Sequence, residues 1–216
     1  MSSVFHRFFR QITFRSLAWQ KCGMDGDMAR WLFIAAFLML MLAFRALGAW
    51  QGWMNFSPLP AFLLMSLVCF TGRERWVLPV LAWLVSDPLM NVLNGSPAFA
   101  SSQWHVVLGV LACLVVVPWV KSSFTWQRAM MGSLASALLF YLVTNAICFM
   151  TMPELYERSW QGWFQAQWTG PVGLGPTWVF LRNACAANLL FCGLFLLAQR
   201  PFSAYMHAPT VSAVVR

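Results

Sequence analysis

The chain has 216 residues, of which 60% are hydrophobic, 16% aromatic and only 9% charged. A soluble domain carries about 25% charged residues, so an ordinary cytosolic enzyme, a disordered chain and a nucleic-acid binder of the usual kind are all excluded. The net charge of +8, from 14 Lys and Arg against 6 Asp and Glu, is read as a mark of membrane topology rather than of nucleic-acid binding.

Residues 1–30 read as a basic arm. Within it, Phe5, Phe8, Ile12 and Leu17 alternate with Arg7, Arg10, Arg15 and Lys21, which predicts an amphipathic helix on the inner leaflet over 4–21, a partly ordered basic tail being the alternative. Six apolar runs follow: Trp31–Trp50, Pro58–Phe70, Trp76–Leu93, Trp104–Val120, Ala129–Met150 and Pro176–Ala198. A spanning helix needs about 20 residues, and all but the second run qualify. The second is about 20 Å long as a helix. It spans only with its flanks, or where neighbouring helices bury it. The first run starts too late, is too long and lacks the small-residue cleavage site of a signal peptide. The sequence thus predicts an all-α integral membrane protein with six transmembrane helices over 31–198 and a cytoplasmic tail over 199–216.

Loop charges set the orientation. Arg7, Arg10, Arg15, Lys21, Arg30, Arg73, Arg75, Lys121, Arg128, Arg200 and Arg216 share one side, and the opposite loops 51–57, 94–103 and 151–175 hold only Arg158. Both termini are therefore expected in the cytoplasm, which requires an even number of spans.

Ionisable residues inside a span cost roughly 2.5–3.5 kcal/mol each on insertion scales. Arg45, Asp87 and Arg182 are such residues. Counted along their helices at about 1.5 Å per residue, they fall in the mid-to-outer membrane, together with Asn145 and His105. One reading is structural, with an arginine neutralising Asp87 and pinning the helices. The other is a polar cavity open to the outside, in which the surplus arginine meets an anionic or carbonyl-rich ligand. The sequence does not say which arginine Asp87 takes. Segment 151–175 adds Tyr156, Trp160, Trp163, Phe164 and Trp168 and ends in the Gly/Pro-rich stretch 170–176. Interfacial aromatics commonly sit among headgroups, but a connection this long also suits a lid.

Other chemistry is poorly represented. Cys22, Cys69, Cys113, Cys148, Cys185 and Cys192 show neither metal-binding nor disulfide spacing. Walker A, HExxH and GxSxG motifs are missing, so an enzyme is not expected. His6, His105 and His207 are scattered, and packing is the plainer role for His105. Gly132-x-x-x-Ser136 and Ser133-x-x-x-Ala137 form a small-residue face on the fifth helix, suited to close packing within the chain or with a partner.

The residues Arg45, Asn55-Phe56-Ser57-Pro58, Ala61, Ser86-Asp87, Thr144-Asn145, Tyr156, Gly162 and Arg182-Asn183 resemble those of small bacterial integral-membrane proteins of unknown function. These in turn resemble the substrate-binding S components of energy-coupling-factor vitamin transporters and the solitary cobalamin transporters related to them. The likeness covers roughly residues 30–200. It implies an S-component-like bundle in the bacterial inner membrane, a vitamin-like substrate held at the outer side, and in many relatives an ATPase module on other chains. The first helix lacks a clear Ala-x-x-x-Ala docking face. The outer segment after Asp87 lacks the cysteine that ligates cobalt in the cobalamin proteins, and His105 is the one substitute for it.

The expected function is uptake of a small vitamin-like molecule, without a bound cofactor or metal of the protein's own and with cobalamin as one conceivable cargo. Arg45 and Asp87 would organise the site, and Arg182, Asn145, Asn55, Asn183, His105 and Tyr156 would line it. Trp160, Trp163 and Trp168 would close over it. The expected partners are the bilayer, the ligand and energising transporter subunits, with no nucleic acid. The alternative is a non-transporting membrane scaffold or assembly factor with internally paired charges.

Overall fold

The computed structural model describes residues 26–70, 72–93, 95–99, 103–173 and 175–204, with side chains between Leu32 and Ala198. The expected amphipathic helix over 4–21 lies outside the described residues, as does the tail beyond 204. Among the described residues all regular structure is helical. Helix α1 runs Gly26–Trp50, α2 Leu59–Cys69, α3 Glu74–Leu93 and α4 Gln103–Ala112. A 3₁₀ turn at Cys113–Val115 joins α4 to α5, Val116–Ser122, and α6 covers Trp126–Thr151. The short α7, Trp160–Phe164, leads into a π-helical turn over Gln165–Thr169, and α8 is Trp178–Ala204.

Among the described residues five segments are long and apolar enough to cross a membrane: Leu32–Trp50, Glu74–Leu93, Gln103–Ser122, Trp126–Thr151 and Trp178–Ala198. They leave Met39, Val92, Val115, Met131 and Leu190 exposed, as lipid-facing side chains are. The protein is a multi-pass α-helical membrane protein. The second run, Pro58–Phe70, forms only the 11-residue α2, about 16 Å long and short of the roughly 30 Å hydrocarbon core. Leu59 through Val68 are all buried. Helix α2 is apolar on every side because protein covers it on every side: α3, α5 and α6 pack against it.

The described residues divide into two compact units, 26–38 with 194–204, and 39–193. In the first, Phe37 packs edge-on against Phe195 with ring centroids 4.5 Å apart, and Phe33 lies 4.6 Å from Phe37. Ile34 and Leu196 are buried with them.

The second unit holds α2 in place through one side chain. Pro58 and Pro60 suit a helix start because the first N–H groups have no intrahelical acceptor, but Ala61 still needs one. Asn188 supplies it: its Oδ1 accepts from the Ala61 N–H at 2.6 Å, and its Nδ2 donates to the carbonyls of Ala184 at 2.7 Å and Ser57 at 3.1 Å. Ser133 Oγ donates to the Asn188 carbonyl at 3.0 Å. One asparagine on α8 thus ties down the 51–58 loop, the start of α2 and the middle of α6.

The small-residue face of α6 serves packing within the chain. A Cβ on Gly132 would strike Val120 and sit 3.2 Å from Leu64, and Ser133, Ser136 and Ala137 are fully buried. Asn188→Leu should cost on the order of 3 kcal/mol by orphaning the Ala61 N–H and the Ser57 carbonyl. Thermal unfolding in detergent measures this as a clear fall in Tm, and an unchanged Tm would remove Asn188 from the role given to it.

Candidate functional site

The polar residues gather near the helix ends that meet loops 51–58, 94–102 and 152–177. Arg45 is five residues from the end of α1, Asp87 six from the end of α3 and Asn145 six from the end of α6. Arg182 lies four residues, about 6 Å, into α8.

The structure pairs Asp87 with Arg45. Arg45 Nη1 lies 2.5 Å from Asp87 Oδ1, with side-chain exposures of 14% and 6%. The same nitrogen donates to Ser86 Oγ at 2.6 Å, and Trp83 Nε1 donates to Asp87 Oδ2 at 3.1 Å. Both carboxylate oxygens are therefore satisfied, as a buried charge requires. Trp83 and Asp87 are one helical turn apart, so the indole reaches its acceptor on the same face of α3. Pro88 has no N–H to give the Leu84 carbonyl, which loosens the backbone hydrogen bonding beside the ion pair.

Arg182 stands elsewhere. Its Nε and Nη2 donate to Asn183 Oδ1 at 3.2 and 3.1 Å, and its guanidinium lies 5.6 Å from the Trp178 ring centroid. Among the described residues it pairs with no carboxylate, and it is exposed. Asn183 is buried and donates through Nδ2 to the Met54 carbonyl at 2.9 Å. That bond joins α8 to the 51–58 loop next to Asn55. Asn55 itself has φ +60, the left-handed region that asparagine tolerates and β-branched residues do not. Its backbone carbonyl accepts from the Ser57 N–H at 2.8 Å, so the conformation of the loop is what visibly calls for an asparagine there.

His105 lies on α4 and Asn145 on α6. His105 is buried, and its Nδ1 lies 3.9 Å from Cys148 Sγ. Asn145 is buried and its Nδ2 has no hydrogen-bond partner among the described residues. A donor left without an acceptor in such a place is costly. Among the described residues no three His, Cys, Asp or Glu side chains gather to hold a metal ion.

The 152–177 segment is folded rather than slack. Ser159 caps α7 by accepting from the Gly162 N–H at 3.1 Å, and a Cβ on Gly162 would strike the Glu157 carbonyl oxygen. Tyr156 is buried, which pushes its phenol above the ordinary tyrosine range and keeps it neutral. Tyr141 donates its hydroxyl to the Gln167 carbonyl. Arg158, the exception to the charge bias, donates to the Met150 carbonyl at 2.6 Å, where a cation suits a helix C-terminus. Trp163 packs edge-on against Phe149 at 5.5 Å, whereas Trp160 is 85% exposed. A shallow surface depression lined by Ser159, Trp160, Gln161 and Phe164 accompanies this segment.

The ten residues singled out in the sequence therefore fall into parts. Arg45 and Asp87 touch each other, Arg182 touches Asn183, Asn183 reaches the loop of Asn55, His105 lies near Cys148, and Asn145 is buried with its Nδ2 unpartnered among the described residues. Tyr156, Trp160 and Trp163 belong to the folded segment. Sequence reasoning missed Trp83 and Ser86 as ligands of the ion pair, and Asn188 altogether. The available signals were the one-turn spacing from Trp83 to Asp87 and a lone amide in an apolar run.

Residues 26–207 match the model of a family described as "Family of unknown function (DUF6580)". No curated protein matches the chain, and no solved structure does.

Two substitutions test the local geometry. Trp83→Phe keeps the ring but deletes a hydrogen bond to a charged acceptor, and should lower stability by about 1.5–3 kcal/mol. Asn55→Gly should be tolerated, while Asn55→Val should cost about 1–3 kcal/mol for its left-handed backbone. Thermal unfolding in detergent measures both, and equal Tm values for the two Asn55 variants would contradict the backbone role.

Proposed function

The chain belongs to the DUF6580 family, and from that premise we propose that it is an inner-membrane protein that captures a small anionic, vitamin-like molecule for uptake at the end of the helices bearing Arg182. In this reading α2 and its flanking residues complete a sixth crossing among the neighbouring helices, so both termini lie in the cytoplasm and the 51–58, 94–102 and 152–177 segments face outward. The observation that carries it is the division of labour between the two arginines. Asp87 has one oxygen on Arg45 and the other on the Trp83 indole N–H, so it offers Arg182 no charge. An arginine kept near a helix end without a carboxylate is expensive unless water, headgroups or a ligand supply the missing acceptors. Arg182 remains accessible, and a guanidinium favours planar carboxylate or phosphate groups.

In this reading Arg45 and Asp87 fix α1 against α3, and Asn183 fixes the 51–58 loop. Arg182 takes the anion, and the aromatic segment covers the bound molecule. Energising subunits on other chains would drive release inward. The exposed Trp160 and Phe164 favour a second reading, a scaffold that docks another membrane protein through this segment.

Mass spectrometry of protein purified in mild detergent separates the two. Wild type should carry a co-purifying small anion, and Arg182→Ala should lose it while keeping its Tm within a few degrees, as surface substitutions of about 0.5 kcal/mol do. The same compounds on both proteins, or none on wild type across several growth media, would refute capture at Arg182.

A further inference from the structure

Arg182 is one corner of a larger arrangement. Trp178 lies one turn before it on α8, with the guanidinium 5.6 Å from its ring centroid. Trp168 lies on the π-helical turn of the 152–177 segment, 6.5 Å from Trp178 between centroids and tilted by 33°. Trp168 is 51% exposed and Trp178 37%, so ring surface on both is open. The π turn is anchored. The Gly170 N–H donates to the Gln165 carbonyl at 2.8 Å and Thr177 Oγ1 donates to the same carbonyl at 3.4 Å. Gly170 has φ +77, and a Cβ there would strike the Gly175 carbonyl oxygen. A short closed turn thus holds Trp168 beside the start of α8.

The guanidinium is partly committed. Nε and Nη2 share Asn183 Oδ1, which sets the plane of the group. Arginine has five N–H donors, and the edge formed by Nη1 and Nη2 is the one a carboxylate takes without displacing Asn183. An aromatic ligand ring meets an indole with centroids about 4.5–7 Å apart, so one ring can touch both indoles while its carboxylate meets Arg182. Resting on the capture reading above, we infer that Arg182, Trp178 and Trp168 form a binding site for a planar aromatic carboxylate, with the carboxylate on the guanidinium and the ring against the two indoles. A lipid phosphate would need the cation but no fixed pair of indoles, which is why the aromatic anion is favoured.

Purified full-length protein in phosphatidylcholine nanodiscs, titrated by calorimetry with quinoline-2-carboxylate, benzoate, cyclohexanecarboxylate and benzamide, tests this. Quinoline-2-carboxylate should bind tightest, benzoate more weakly, and the non-planar acid and the neutral amide weakest. Arg182→Ala should weaken quinoline-2-carboxylate by about tenfold or more, the loss of a charged hydrogen-bonded pair. Trp168→Leu should weaken that ligand while leaving cyclohexanecarboxylate unchanged. Arg182→Lys provides the same comparison where the alanine variant fails to fold, keeping charge but losing the two-pronged contact.

Equal affinity for the aromatic and alicyclic acids would overturn the inference and leave anion capture standing. So would no binding of any probe by a protein whose co-purified molecule still depends on Arg182. Displacement of quinoline-2-carboxylate by phosphatidylglycerol with no effect of Trp168→Leu would assign Arg182 to lipid headgroups instead. Binding of every probe unaffected at Arg182, with no Arg182-dependent compound on the purified protein, would bring down the capture reading itself.

Discussion

A carboxylate buried among apolar helices must be neutralised, and the way Asp87 meets that demand governs the rest of the polar architecture. One arginine and one indole N–H take its two oxygens, and the Ser86 hydroxyl accepts from the same arginine nitrogen. Removing either member of such a pair typically costs 3–5 kcal/mol because the other charge is left uncompensated. The pair therefore acts as a fixed pin between α1 and α3. Because Asp87 is fully occupied, Arg182 on α8 has only an amide oxygen and an aromatic face. The functional reading follows from that inequality.

The remaining polar side chains of the second unit divide into those that build and those left with capacity. Asn188 is entirely structural, with its oxygen on the Ala61 N–H and its nitrogen on two carbonyls. Asn183 holds the 51–58 loop. Ser133 and Gly132 let α6 approach its neighbours closely. Asn145, with an unpartnered amide nitrogen, and Arg182, with an open edge, have hydrogen bonds to give. Buried donors without partners are uncommon in folded proteins.

Much of this was legible in the sequence, for identifiable reasons. The five long spans follow from apolar length, and Arg45, Asp87 and Arg182 stand out because charge in an apolar run is costly. The short second run was recognisable as anomalous, but its apolar character on all sides suits lipid and protein burial equally. Only the packing distinguishes them. The choice of Arg45 over Arg182 as the partner of Asp87 depends on helix rotation and neighbour order, which spacing along one helix does not encode. Asn188 was missed because a single amide in an apolar run carries no periodic signal. The Gly/Pro stretch at 170–176 ends a connection that suited a lid, yet a Cβ on Gly170 would strike the Gly175 carbonyl oxygen. A glycine required by close approach and one required by mobility look the same in sequence.

The central claim is that Asp87 belongs to Arg45 and leaves Arg182 to other partners. Double-mutant cycles on thermal stability in detergent measure it directly, pairing Asp87→Asn with Arg45→Met and, separately, with Arg182→Met. Residues in contact couple by about 0.5–3 kcal/mol, whereas separated residues add to within about 0.5 kcal/mol. The structure predicts strong coupling for Asp87 with Arg45 and additivity for Asp87 with Arg182. Strong coupling to Arg182, or additivity with Arg45, would contradict the division of charge on which the site and its proposed function rest.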